Sequence, residues 1–394
     1  MVSDAALRET VETLARIDRT PCSPGEREAA EWLAVRLHAA GCESVVLEDE
    51  PSWGQFPPTV TGLGLLGLAG GALALAGRRA LGTLALTVSA LGVVDEAQNG
   101  PRILRRLLRR ERRTVNVIGR IGDPAATRRL VVLAHHDAPQ TGVIFDQTAI
   151  KAAYARFPGA VGKQKQSPPQ WWIGLAAPAL GLIGALTGRR AASAVGLALG
   201  AVGTGLVADI MRNPTVPGAN DNLSGVAVLV ALAQMLRDAP LDGLEVWLVS
   251  CGAEETLQDG IRAFVERHRP DLDRGETFVV NNDTVGSPHL CLLEGEGPIW
   301  MEDYHDPAFR DLVAHCAAEQ GIDCERGLRA RSSTDSVIPS RAGWPTATLV
   351  SLTEWRALAN YHLPTDLPEN LHFGTVAAAT RLTYAVAGAL AVGR

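Results

Sequence analysis

The chain has little of what nucleic-acid binders and disulfide scaffolds are built from. Aromatic residues make up 5% of its 394 residues, the basic residues form no broad stripe, and the formal net charge is −6. That balance excludes the electrostatic footprint of a nucleic-acid partner. The six cysteines, Cys22, Cys42, Cys251, Cys291, Cys316 and Cys324, include no CxxC pair and no tightly spaced framework. A structural zinc knot is therefore not indicated, and free thiols in a reducing compartment are expected. Residues 1–20 read as an amphipathic helix with a polar face and lack the apolar core of a signal peptide.

Charge is also missing from four long stretches. Val60–Gly77 and Ala80–Val94 flank Arg78-Arg79, and Trp171–Gly188 and Ala191–Ala208 flank Arg189-Arg190; no limb contains Asp, Glu, Lys or Arg. Each pair reads as a hydrophobic helical hairpin with a Gly-Arg-Arg tip. The limbs lie at or just under the ~20 residues a helix needs to cross a bilayer core. Glycines at 62, 64, 67, 70 and 71 suit close helix packing in lipid and would cost about 1 kcal/mol each in an ordinary soluble helix. The expectation is two membrane-inserted hairpins packed as a four-helix bundle; the alternative is a buried set of helices or an oligomer interface. Arg102, Arg105, Arg106, Arg109, Arg110, Arg112 and Arg113 follow the first hairpin, which places its base, and the rest of the chain with it, on the cytoplasmic side of the cell membrane. The same cluster, interleaved with Ile103, Leu104, Leu107 and Leu108, suits either an anionic lipid surface or a solvated helix.

Outside the hairpins, strands and helices alternate. Ser23-Pro24-Gly25-Glu26 starts a helix that Gly41 ends, two strand-like runs between Val115 and Ala134 are joined at Gly122-Asp123-Pro124, and helices are expected from Asn222 to Leu236 and from Phe373 to Val392. The fold class is α/β, with a mixed sheet between helical layers. The division expected is one α/β domain in three parts, 1–58, 96–145 and 213–394, interrupted by hairpin insertions at 59–95 and 146–212.

Five short motifs carry metal chemistry. They are Ala134-His135-His136-Asp137, Gly218-Ala219-Asn220-Asp221-Asn222, Ala253-Glu254-Glu255, Asn282-Asp283 and Tyr361-His362. Three follow apolar, β-branched runs, at the carboxyl ends of strands where an open α/β sheet keeps its site. In His-x-Asp, strand alternation points both side chains the same way, so Asp137 can fix the tautomer of a metal-bound His135 while His136 faces the other layer in a structural role. Asp221, in a turn before a helix, suits either a bridge between two cations or an ordinary helix cap. Adjacent carboxylates at Glu254 and Glu255 repel unless a cation or a proton separates them, so one can bind metal while the other takes a proton from water. Asp283 and His362 complete ligands for two metals.

As a set these motifs resemble the zinc exopeptidases of metallopeptidase family M28, of the bacterial leucyl aminopeptidase and aminopeptidase Y type. The Ser-Pro-Gly-Glu helix start and the Ser333-Thr334-Asp335-Ser336 loop are part of the likeness. The resemblance implies two zinc ions, one held by His135 and Asp283, the other by Glu255 and His362, with Asp221 bridging. It implies Glu254 as general base and Tyr361 as donor to the oxyanion. It also implies the α/β/α zinc exopeptidase fold and a peptide or amino-acid amide as substrate; the hairpins, apart from the resemblance, add membrane lipid as a partner and leave an oligomer open. Two features depart from the family pattern. The second hairpin and residues 141–169 separate the His-x-Asp and bridging Asp motifs, and the first hairpin interrupts the early strands, so the insertions are placed to roof the substrate cleft. Competing readings are an amidohydrolase or carboxypeptidase of the other co-catalytic zinc family and a non-catalytic membrane receptor or scaffold. The Gly-Ala-Asn-Asp-Asn-x-Ser-Gly turn fits the first poorly, and an intact Glu254 argues against the second.

Overall fold

The computed structural model describes residues 4–393. Its strands are β1 (Ser44–Ser52), β2 (Arg112–Gly122), β3 (Arg128–His135), β4 (Leu244–Cys251), β5 (Thr277–Asn282), β6 (His289–Glu296), β7 (Glu302–Asp303), β8 (Glu325–Ala330) and β9 (Thr346–Leu352). Its helices are α1 (Asp4–Leu14), α2 (Pro24–Ala40), α3 (Pro57–Leu75), α4 (Arg79–Ala97), α5 (Ile103–Leu108), α6 (Thr148–Arg156), α7 (Pro158–Val161), α8 (Trp172–Thr187), α9 (Arg190–Ile210), α10 (Ser224–Asp238), α11 (Asp259–His268), α12 (Pro307–Glu319), α13 (Val337–Ala342) and α14 (Phe373–Ala391). The helix expected over residues 1–20 is α1; residues 1–3 lie outside the described ones. Local signals set α2: the Ser23 hydroxyl accepts the Glu26 N–H at 3.2 Å, Pro24 opens the first turn, and Gly41 closes the helix at a φ of 117°, a conformation glycine adopts without a Cβ penalty.

The sheet runs β1-β2-β4-β3-β5-β9-β6-β7, with β8 against β6. Its centre, β4, β3, β5 and β9, is parallel, while β1, β2 and β6 add antiparallel pairings. β2 and β3, consecutive in sequence, are not neighbours, because β4 lies between them. Alternation builds the two flanking layers: Leu130, Val132 and Ala134 join a core with α1, α2, α10 and α14, whereas Val131 and Leu133 meet Ile261 and Phe264 of α11 and Trp344. Each such aliphatic or aromatic side chain contributes about 1.5–3 kcal/mol on burial. The result is a three-layer α/β/α sandwich.

The four uncharged limbs lie within α3, α4, α8 and α9, packed side by side. Backbones touch at glycines: a Cβ on Gly82 would come within 2.7 Å of the Gly70 carbonyl oxygen, and one on Gly70 within 3.0 Å of that of Gly82, the close approach small residues allow. Leu65, Leu84, Leu91, Leu186 and Val202 on the bundle's outside are more than half exposed. By length and composition α3, α4 and α9 could cross a membrane, and 28%, 39% and 17% of their apolar windows are buried; α8, at 16 residues, is shorter. The segment Ala219–Asp238 passes the same test but is 89% buried, because it packs on the sheet. Hydropathy registers an aversion to water and does not say what replaces the water.

Register explains where the hairpins emerge. Ser52 at the end of β1 pairs with Arg112 at the start of β2, and Val117 pairs with Ser250 near the end of β4. The α3–α4 hairpin therefore leaves the sheet at the edge where β3, β4 and β5 also end. The arginines that follow it divide into two groups. Arg102 and Arg105 are buried and ion-paired with Asp259 and Glu96, so they face neither lipid nor solvent. Arg106, Arg110, Arg112 and Arg113 remain exposed.

Candidate metal centre

The structure brings His135, Asp221, Glu254, Glu255, Asp283 and His362 together at that edge. Candidate ligand atoms of His135, Asp221 and Asp283 lie within 4.8 Å of one another, and so do those of Asp221, Glu255 and His362. Asp221 is common to both trios. Its Oδ1 is 3.2 Å from His135 Nε2 and its Oδ2 3.2 Å from His362 Nε2, which is itself 3.5 Å from Glu255 Oε1.

Strand ends and turns hold each side chain in place. His135 ends β3 and turns Nδ1 toward Asp137 Oδ1 at 3.4 Å, leaving Nε2 for the centre. Asp137 has a second task that the sequence did not announce: its oxygens accept the N–H groups of Glu254 and Glu255 at 3.1 and 3.0 Å, which fixes the turn after β4. His136 faces the opposite layer, fully buried, with Nδ1 3.0 Å from the Ser250 hydroxyl, and burial lowers its pKa to about 4. In the turn before α10 the capping role falls to Asn222, whose Oδ1 accepts the Gly225 and Thr284 N–H groups at 3.0 Å each. Asp221 is thereby free to face the histidines. The Asp221–Asn222 peptide is cis.

Sequence reasoning missed the residues that act through backbone atoms. Asp366 accepts the Asn220 N–H at 2.7 Å and the Asp221 N–H at 3.1 Å. The buried Arg19 donates to the carbonyls of His136 at 2.8 Å and Pro217 at 2.6 Å, tying two motifs together. Gln258 Nε2 donates to Glu254 Oε1 at 2.6 Å and to the Ser333 carbonyl at 3.1 Å. No local pattern marks Arg19 or Asp366, since their partners come from distant segments. The four-residue interval from Glu254 to Gln258 was the only available clue.

Electrostatics test whether these residues suit a cation. Burial pushes Glu254 and Glu255 well above the usual carboxylate range, with Asp335 adding to the first and Asp221 to the second. Burial, opposed by His135, raises Asp283 to about 6. Asp221 goes the other way: burial alone would raise it, but hydrogen bonds from His135 and His362 hold it well below the usual range. Burial lowers the His362 pKa, whereas at His135 burial is outweighed by Asp137 and Asp221 and the pKa is raised well above the usual histidine value. Such crowding of buried carboxylates around imidazole nitrogen is relieved by divalent cations, and nitrogen-plus-carboxylate sets suit zinc. The donor set fits.

Tyr361 lies beside His362, ring centroids 3.9 Å apart, and borders cavities on both sides of the centre. Residues 143–167 roof this region. Phe145 packs on His362 at 4.3 Å between centroids, Gln147 donates to the Leu358 carbonyl at 2.8 Å, and Gln164 and Gln166 line one cavity.

Comparison with known proteins adds a family likeness. Residues 203–387 match the model of peptidase family M28. No curated protein matches the chain. Similar solved structures include a Zn-dependent exopeptidase from Parabacteroides distasonis, at TM-score 0.56 and 13% identity, covering 100% of this chain and 99% of that one. They include BSAP, a zinc aminopeptidase from Bacillus subtilis, at 0.55 and 14%, covering 98% and 95%. A glutaminyl cyclase from Bacteroides thetaiotaomicron stands at 0.56 and 14%, covering 98% of each chain. In sequence over its second half and in fold over its whole length, the chain resembles the family M28 zinc exopeptidases.

Proposed function

We propose that this metallopeptidase is a membrane-anchored dinuclear zinc aminopeptidase that removes N-terminal residues from peptides or amino-acid amides. The observation that carries the reading is the sharing of Asp221 by two donor trios, with Glu254 beside them in a third that it forms with His135 and Glu255. His135 and Asp283 would hold one zinc, Glu255 and His362 the other, with Asp221 between. Zinc in such a site polarises a carbonyl and makes water acidic near neutral pH.

The chain's own residues do the rest. Glu254, its Oε1 anchored by Gln258, takes the proton of the attacking water and returns it to the leaving amine. Tyr361 donates to the oxygen that gains negative charge. Asp137 orients His135 and fixes the Glu254-Glu255 turn. The cyclase named among the similar structures suggests a second chemistry, but two complete ligand trios favour hydrolysis. The exposed leucines around α3, α4, α8 and α9 support insertion of the hairpins in a membrane with the catalytic part on the cytoplasmic side, because monomers rarely expose continuous apolar surface.

The test is a panel of aminoacyl anilides on detergent-solubilised protein, with zinc counted per chain. Two zinc ions and release of the N-terminal residue are expected. One zinc with cyclisation of N-terminal glutamine would overturn the reading.

A further inference from the structure

The centre opens into two compartments. One, of about 750 Å³, is lined by His135, Asp221, Asp283, Leu293, Val350 and Leu352. The other, of about 1310 Å³ including its open solvent end, starts at Glu254, Glu255, Tyr361 and His362 and continues between α3, α8 and α9 inside the bundle. Glu254, Glu255, Ser333 and Tyr361 border both, so a bond cleaved at the centre has one end in each compartment.

The bundle compartment is lined mainly by apolar side chains, with Ser89 and Thr204 in its wall. Val60, Ile173 and Val207 line it near the centre, and Gly71, Gly181 and Leu197 line its far part. From Val60 to Gly71 helix α3 rises about 17 Å. Along one wall the helices touch, since a Cβ on Gly64 would come within 2.2 Å of Thr204 Oγ1; at Gly203 the nearest neighbour of such a Cβ, on Ile173, is 3.7 Å away. Ser89, also in the wall, donates its hydroxyl to the Leu63 carbonyl at 2.8 Å. A peptide threaded there would leave its amides without partners, which is costly. A saturated hydrocarbon would not.

We propose that this compartment is a hydrocarbon-tail site and that the substrate is an amphipathic amide, with an amino-acid head at the metal centre and a fatty chain between α3, α8 and α9. The proposal rests on the hydrolase reading above and names its substrate class. Water adds to the amide carbonyl, a C–O bond forms, the C–N bond breaks, and the proton passes through Glu254 to the amine, giving a carboxylic acid and an amine. The tail sits either on the carbonyl side, as in N-acyl amino acids, or on the nitrogen side, as in aminoacyl alkylamides.

The experiment uses the full chain, zinc-loaded, in lipid nanodiscs. Two series are assayed, N-acyl amino acids from butyryl to palmitoyl and aminoacyl alkylamides from butyl to hexadecyl, beside a short aminoacyl anilide. In one series kcat/KM should rise about two- to fourfold per buried methylene until the compartment is full; the series that rises identifies the tail's side. Val207→Phe and Gly203→Phe should erase the long-to-short ratio, and Val207→Ala should keep it. Displacement of a fluorescent fatty amide reads the tail site without turnover. Rates independent of tail length with the anilide still cleaved, or no displacement, would overturn the tail site and leave the hydrolase reading standing. Displacement that Val207→Phe abolishes, with no amide cleaved, would fail the hydrolase reading and keep the site.

Discussion

At the residue scale, Glu254 and Gln258 are the most informative positions. Glu254→Gln keeps the shape of the side chain but cannot accept a proton; zinc content should stay at the wild-type value while kcat falls roughly 10²- to 10⁴-fold. Gln258→Asn withdraws the amide from Glu254 Oε1 by one methylene while tolerating the φ of 65° at that position. Loss of a hydrogen bond to a charged acceptor should slow turnover about tenfold or more at unchanged zinc content. Wild-type rate in either variant would remove that residue from the reaction. Glu296 offers a pH test away from the ligands. Burial raises its carboxyl to about 8 despite hydrogen bonds from Tyr304 and Thr334. The folded protein therefore holds a proton that the unfolded chain releases in the usual carboxylate range. This stability is fully present below the unfolded pKa and is lost as pH rises from about 4.5 toward about 8, by up to about 1.4 kcal/mol per pH unit. Thermal melts of Glu296→Gln should show a flatter decline over that window. A decline equal to wild type would show that Glu296 is ionised in the fold.

The decisive contacts at the element scale lie at the base of the first hairpin. Glu96, the penultimate residue of α4, pairs with Arg105 of α5, whose Nη1 donates to the Thr256 carbonyl at 2.5 Å, one residue past Glu255. Breaking a buried pair leaves an uncompensated charge, about 3–5 kcal/mol. Arg105→Met should therefore lower both thermal stability and kcat, and the double variant Glu96→Leu/Arg105→Met should recover stability; an unstable double variant would mean that the pair is not the cause. Cysteines introduced singly at Gly77 and Gly188, in a background freed of native thiols, check the hairpins' direction. An impermeant maleimide applied to intact cells should label both tips, and protein recovered wholly soluble without detergent would return the hairpins to a buried interface. The limbs were legible because a run without charge needs no partner to be noticed. The burial of Arg102 and Arg105 was not, because the carboxylate that neutralises Arg102 and the carbonyl that binds Arg105 sit more than a hundred residues away.

For the whole molecule, the residues that meet at the candidate centre were readable in the sequence while their supports were not. His135, Asp221, Glu254, Asp283 and His362 each occupy a strand end or turn with its own local signature, and the α/β/α class follows from the alternation of strands and helices. Strand order is not written locally: nothing near β2 or β3 says that β4 lies between them, and Arg19 and Asp366 work through backbone groups that only this order brings close. Metal should bear on the entire fold, since it relieves the crowding of Glu254, Glu255 and Asp283. Chelation should abolish turnover and lower the melting temperature by about 5–10 °C for ions bound at a hundredfold excess over Kd, both restored by zinc. An unchanged melt on chelation would mean that the carboxylates are not a metal site.

The sheet edge that carries the metal centre also carries both hairpins, so the anchor and the working surface point the same way. With the hairpins inserted as proposed, an enzyme hung like this would not sample the bulk solution; its substrate would reach it by lateral diffusion within a sheet of lipid. The concentration that sets its rate is then a mole fraction. Diluting a fixed amount of an amphipathic substrate with inert lipid should slow turnover even though nothing in the aqueous phase has changed, and stirring in more water should not.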